Sequence, residues 1–243
     1  MIVASMSQLE RFNELFSDKK KVDFYSNKIK PKIIKEFKLE GIYPSWKWRE
    51  YLHSDSKNKY IVFFYAANAK MANNPETDSF VVTDDKNQKI IIKQEVWPFV
   101  LKTGETIGTR SISYFRSHFF KRYRERVWAS NDKLSYYELI CRFFTRNKDK
   151  HIIELNEEIK KDYSDYGEYA CQAFSVRDGL CLITFWNEGD ISTLKDKKGD
   201  FINVVLYETI LSHNILKTNQ IKALFEEDLR YTRNLASLLL KGL

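Results

Sequence analysis

Glycine and proline are scarce in this chain of 243 residues, with eight and four respectively, about 5% together where an average protein carries roughly 12%. That scarcity excludes a collagen-like repeat, a low-complexity tract and a long flexible linker. Cysteine is scarcer still. Cys141, Cys171 and Cys181 form an odd set with no Cys-x-x-Cys pair. This excludes a secreted disulfide scaffold and points to a reducing, cytoplasmic setting in which each thiol is a small buried hydrophobe. Long apolar runs are missing too: the longest, Tyr60 to Ala67, has eight residues, against roughly 18 for a membrane-spanning helix. Met1 to Met6 is too short for a secretory leader and has no basic residues ahead of it. A soluble protein with no membrane partner is expected.

An apolar share of 43% and an aromatic share of 15% are enough to build a core and exclude intrinsic disorder. The length fits one large domain or two small ones, folding without disulfide or metal. Leu9, Phe12, Leu15 and Phe16 recur at helical spacing, as do Ile29, Ile33, Ile34 and Phe37 around Pro31, which reads as a first-turn residue. Ser45 to Leu52 reads as a short helix or an irregular aromatic segment. Tyr60 to Ala67 reads as a buried strand. Phe80 to Thr83 and Lys89 to Ile92 read as a hairpin whose strand signal continues through Trp97 to Leu101, with Pro98 marking an edge or bulge.

After Gly104 and Gly108 the pattern changes. Residues 112–127 read as a helix with Phe119, Phe120, Tyr123 and Val127 on one face. Ser135 and Glu138 form a capping box ahead of a second helix over 135–146. The acidic stretch Glu154 to Glu168 reads as a loop or a loosely packed helix. Strands follow at 169–176, 180–186 and 203–211; Asp178-Gly179 joins the first two as a hairpin turn. From about Thr218 a C-terminal helix is expected, ending near Gly242. The class is α+β: an antiparallel sheet covered on one face by a basic helical hairpin and the C-terminal helix, with an N-terminal α/β lobe. Residues 1–105 form that lobe and 106–243 the rest, as two units or one continuous domain.

The formal net charge is +7, and the segment from Arg110 to Lys150, with eleven basic and four acidic residues, carries all of it. Concentrated on a helical hairpin, such charge is a candidate phosphate-binding face; the plainer alternative is long side chains solvating two amphipathic helices. The other basic stretch, Lys19 to Lys38, holds eight lysines and no arginine and reads as a solvated helix face.

Within the basic segment, His118, Arg122 and Arg126 recur every fourth residue and fall within about an 80° arc of the helix, beside its apolar face. Metal-independent RNA cleavage needs a base for the 2′-hydroxyl proton, cationic donors for the phosphorane and an acid for the leaving oxygen. His118 can serve as base or acid, with Arg122 and Arg126 as stabilisers. The ordinary alternative is a half-buried histidine bonded to a backbone carbonyl between two solvated arginines. Arg116, Lys121, Arg124, Arg142 and Arg146 complete the candidate nucleic-acid-binding set. Other constellations fail: His53, His151 and His213 lack a second ligand at zinc spacing, Gly104 to Gly108 lacks a P-loop lysine, and Trp46, Trp48 and Tyr51 fit a core as well as a base stack. No cofactor and no metal is expected.

A His-x3-Arg-x3-Arg helix, a second helix and three antiparallel strands resemble the barnase–EndoU–colicin–RelE superfamily of small ribonucleases and toxins, over residues 88–243. The resemblance implies metal-independent RNA cleavage, with His118, Arg122 and Arg126 on the helix and a hydroxyl from the third strand, Thr209 or Tyr207, completing the site. The chain departs from a compact toxin by about a hundred extra N-terminal residues and by the acidic insertion. Three functions compete: a toxin-like ribonuclease, a non-catalytic nucleic-acid-binding module with RNA the favoured ligand, and an interaction protein in which the acidic 154–168 segment covers the basic helix or docks a partner, either another protein or a second copy of the chain. Salt-sensitive RNA binding separates the third from the others; cleavage in the presence of a chelator separates the first from the second.

Overall fold

The computed structural model describes residues 1–3, 5–85, 88–100, 106–129, 134–154, 172–185 and 202–216. Its first element is a single helix, α1 (Gln8–Glu40). The Ser7 side chain accepts the Glu10 N–H and the Glu10 carboxylate accepts the Ser7 N–H at 2.8 Å, so the first turn is capped reciprocally. At the other end Gly41 adopts a left-handed conformation at φ 62° and donates its N–H to Phe37. Pro31 lies inside this helix rather than in the first turn of a second one. Phe12, Leu15, Val22, Ile33 and Phe37 are buried in one core cluster along its length, and this continuous packing outweighs the proline's local cost.

Among the described residues, nine strands form one sheet in the order β1-β2-β3-β4-β5-β9-β8-β7-β6. The first five, β1 (Ser45–Leu52), β2 (Lys59–Ala66), β3 (Glu76–Asp85), β4 (Gln88–Val100) and β5 (Thr106–Arg116), pair antiparallel in sequence order. Helices α2 (Ser117–Val127) and α3 (Tyr136–Arg146) follow. Then come β6 (His151–Glu154), β7 (Gln172–Val176), β8 (Gly179–Phe185) and β9 (Ile202–Ser212), again antiparallel. The two meanders meet where β9 lies parallel to β5, from Arg110 opposite Ile202 to Phe115 opposite Tyr207. The fold is α+β, and its sheet is mixed rather than antiparallel. The long excursion through α2, α3 and three strands is what allows the chain to return in the same direction. Because β4 and β5 pair, the sheet takes strands from both expected units, 1–105 and 106–243.

Both faces of the sheet are covered, not one. Tyr60, Val62, Phe64, Ile92, Ile112 and Tyr114 share a core with α1, whereas Ile61, Phe63, Phe80, Ile91, Phe115 and Tyr207 share the other with α2 and α3. A strand buried on both sides reads as an unbroken apolar run, which is why Tyr60 to Ala66 shows no alternation. The aromatic segment at 45–52 is the edge strand β1, not a helix: Trp46 and Trp48 pack toward α3, and Tyr51 stacks on Tyr25 of α1 at 4.4 Å. Residues 112–116, expected to open a helix, complete β5. Ile112 and Tyr114 face α1 while Phe115 faces the other layer, so the period there is two. β6 falls where no strand is expected. The hairpin at 178–179 forms as expected, with Gly179 at φ +149°. A Cβ at Gly179 would stand 2.0 Å from the Leu211 carbonyl oxygen, so glycine is required there. The expected C-terminal helix, and residues 155–168 of the acidic stretch, lie outside the described residues.

Candidate nucleic-acid interface

Arg116 is the N-cap of α2, which lies along β9. His118 in its first turn is exposed, and its Nε2 stands 2.7 Å from the Glu208 carbonyl oxygen. A carbonyl only accepts, so Nε2 carries the proton and donates, and Nδ1 of the neutral ring keeps its lone pair. Two turns on, half-buried Arg126 donates from Nη1 to Thr209 Oγ1 at 3.1 Å and to the Ile210 carbonyl. Between them Arg122 donates to Glu125 Oε2 at 3.1 Å, with the two side chains 51% and 43% exposed. Such an exposed pair is weak and readily exchanged for another anion. The three residues of the stripe thus take different places: His118 and Arg126 are bonded to β9, and Arg122 faces solvent.

The two candidate strand hydroxyls separate. Thr209 meets Arg126, but Tyr207 is fully buried, stacks on Phe115 at 4.1 Å and accepts a hydrogen bond from Lys150 Nζ at 2.9 Å. A β-bulge explains the split. Leu182 lies opposite Thr209 and Ile183 opposite Tyr207, leaving Glu208 as the extra residue. Beyond the bulge, Ile210 rather than Leu211 joins the α2–α3 core with Tyr207, so simple alternation misplaces every residue after it.

The wider basic set divides as well. Arg116, Lys121 and Arg122 are exposed. Arg124 donates to the Leu134 carbonyl at 2.9 Å. Arg142 pairs with Glu138 at 2.7 Å, with its guanidinium 4.4 Å from the Trp46 ring centre and 5.0 Å from that of Trp128. Trp46 in turn donates to Thr145 at 2.9 Å, and Trp48 sets its edge against Tyr137, so both indoles are part of the packing. Arg146 grips Asp178, whose side chain is 3% exposed and also accepts from Tyr123 at 2.6 Å and from Asn147 at 3.0 Å. Burial alone would raise the Asp178 carboxyl; the bonds from Arg146, Tyr123 and Asn147 outweigh it and hold it below the ordinary carboxylate range.

One polar cluster on the sheet escapes sequence reasoning. Glu95 of β4 accepts from Lys150 at 2.8 and 2.9 Å and from Ser113 at 2.8 Å. Lys93, two residues before it, pairs with Asp78 and lies 5.0 Å from the Phe144 ring centre. Burial pushes the Glu95 carboxyl up, but Lys150, Lys93 and Ser113 together bring it below its ordinary value. The available signal is parity: Lys93 and Glu95 lie an even number of residues beyond inward-facing Ile91. A cavity of about 270 Å³ beside the C-terminus of α3 is lined by Lys93, Glu95 and Phe144. The α2–β9 edge, by contrast, presents exposed side chains. Comparison with protein-family models, with curated protein sequences and with solved structures finds no match to this chain.

Proposed function

We propose that the α2–β9 edge binds the sugar–phosphate backbone of single-stranded RNA and cleaves it without a metal ion. The observation that carries this reading is the 2.7 Å contact between His118 and the Glu208 carbonyl. It orients the imidazole with a basic nitrogen outward, beside the exposed guanidinium of Arg122 on the next turn. An exposed edge with three outward cations suits a polymer more than a small molecule, and the resemblance to the superfamily of small ribonucleases supports the same substrate class. His118 Nδ1 takes the 2′-hydroxyl proton and the 2′-oxygen attacks phosphorus. The 5′-oxygen then leaves, taking a proton from water, and the products are a 2′,3′-cyclic phosphate and a free 5′-hydroxyl. Arg122 neutralises charge on the pentacoordinate phosphorus.

The test is cleavage of a labelled single-stranded RNA with excess chelator. Wild type should cut, and His118→Ala should bind without cutting. Arg122→Ala should lose about 3 kcal/mol of transition-state stabilisation, the order of one preorganised donor. Equal cleavage by wild type and His118→Ala would refute the assignment. Salt-sensitive binding with no cleavage by wild type would reduce the edge to a binding surface.

A further inference from the structure

We infer that Arg126 is a positioning residue that clamps the β9 bulge and thereby holds His118 in a single tautomer. The inference rests on the proposed reading for its catalytic consequence, but its structural content stands apart from it. Glu208 has no register partner on β8, where Leu182 and Ile183 face Thr209 and Tyr207, and the β5 pairing stops at Tyr207. Glu208 is therefore the irregular residue of the pairing, and its carbonyl accepts from His118. A residue with no register partner on either neighbouring strand gains from another source of rigidity. Arg126 supplies it by donating to the Thr209 hydroxyl and the Ile210 carbonyl, the two residues that follow Glu208. One guanidinium nitrogen, Nη1, thus ties the Thr209 side chain and the Ile210 peptide carbonyl to α2 at once.

His118 and Arg126 are separated by eight residues of α2, a rise of about 12 Å, yet they bond consecutive residues of β9. The helix thus grips the bulge at two points. The first point carries the acid–base nitrogen, and the second fixes the direction of the carbonyl that orients it. Neither role needs Arg126 to touch RNA. This also separates Arg126 from Arg122, which sequence spacing treats as equivalent.

The experiment is nitrogen NMR of the His118 ring in the full-length protein, above the pH at which histidine is charged. Wild type should show the two limiting shifts of one neutral tautomer, protonated at Nε2. Arg126→Gln should move both toward the averaged values of an imidazole that exchanges between tautomers. Thr209→Val, which removes one of the two acceptors and keeps the guanidinium, should move them less, and it replaces Arg126→Gln if that variant does not fold. In the cleavage assay Arg126→Gln should lower kcat by about a hundredfold, the scale of a misplaced catalytic group, with KM little changed. Unshifted tautomer signals in a folded Arg126→Gln, or in Thr209→Val where it replaces that variant, would overturn the inference. Shifted signals together with no RNA cleavage by wild type would uphold the clamp and remove the catalytic reading.

Discussion

On α3, Arg142 lies between two indole rings and Arg146 is held by a buried carboxylate, whereas Arg116 at the N-cap of α2 and Lys121 and Arg122 on it reach solvent. Both helices contribute to the same stretch of positive charge, and the fold uses them in opposite ways. The difference comes from what each helix faces. α3 packs between β1, with its tryptophans, and the β7–β8 turn that carries Asp178, so its cations find aromatic and acidic partners inside the protein. α2 lies along β9, whose backbone offers carbonyls to His118 and Arg126, and Arg122 on its outer side has only an exposed ion pair with Glu125 among the described residues. Charge counted along a sequence gives the number of cations, not the direction of each.

The comparison breaks most severely at Asp178. Asp178→Ala leaves Arg146 and the Tyr123 hydroxyl without their shared acceptor and should cost about 3–5 kcal/mol, as for breaking a buried pair. Urea unfolding would read this as a lower midpoint. Glu95→Gln should cost about 3 kcal/mol for the same reason, because Lys150 stays buried beside a neutral group.

Both carboxyls sit below their ordinary values in the folded protein. Their contribution is therefore complete above the unfolded carboxylate range of about pH 4 and is lost as the pH falls through the lower folded values. An acid titration of stability should be steep below that range in wild type and shallower in Glu95→Gln and in Asp178→Asn.

Arg142→Ala should cost about 1–2 kcal/mol, the loss of two cation–π contacts in a partly buried setting. Lys121→Ala and Arg122→Ala should change stability by no more than about 0.5 kcal/mol, which thermal melts would show as near-superposition with wild type.

Local signals carry much of this fold. The Ser135–Glu138 cap is visible in sequence, and the structure shows Ser135 accepting the Glu138 N–H at 3.2 Å. Asp178-Gly179 marks its hairpin because only glycine tolerates the approach of Leu211. Hidden from local pattern are the parallel β5–β9 pair, which joins residues about 90 positions apart, and the coverage of both sheet faces, which depends on packing between distant elements. Pro31 misleads because packing over the whole of α1 overrides a local cost. At the candidate site the helical period correctly aligns His118, Arg122 and Arg126 on one stripe. It does not show that Glu208 bulges out of register, and the bulge is what brings Thr209 to Arg126 and leaves Tyr207 with Lys150.

The division between α2 and α3 is tested most directly by the salt dependence of RNA binding. Each phosphate contact contributes about one unit to the slope of log affinity against log salt. Arg122→Ala should lower the slope by about one unit, and Arg142→Ala should leave it at the wild-type value. A slope reduced by Arg142→Ala and untouched by Arg122→Ala would contradict the account.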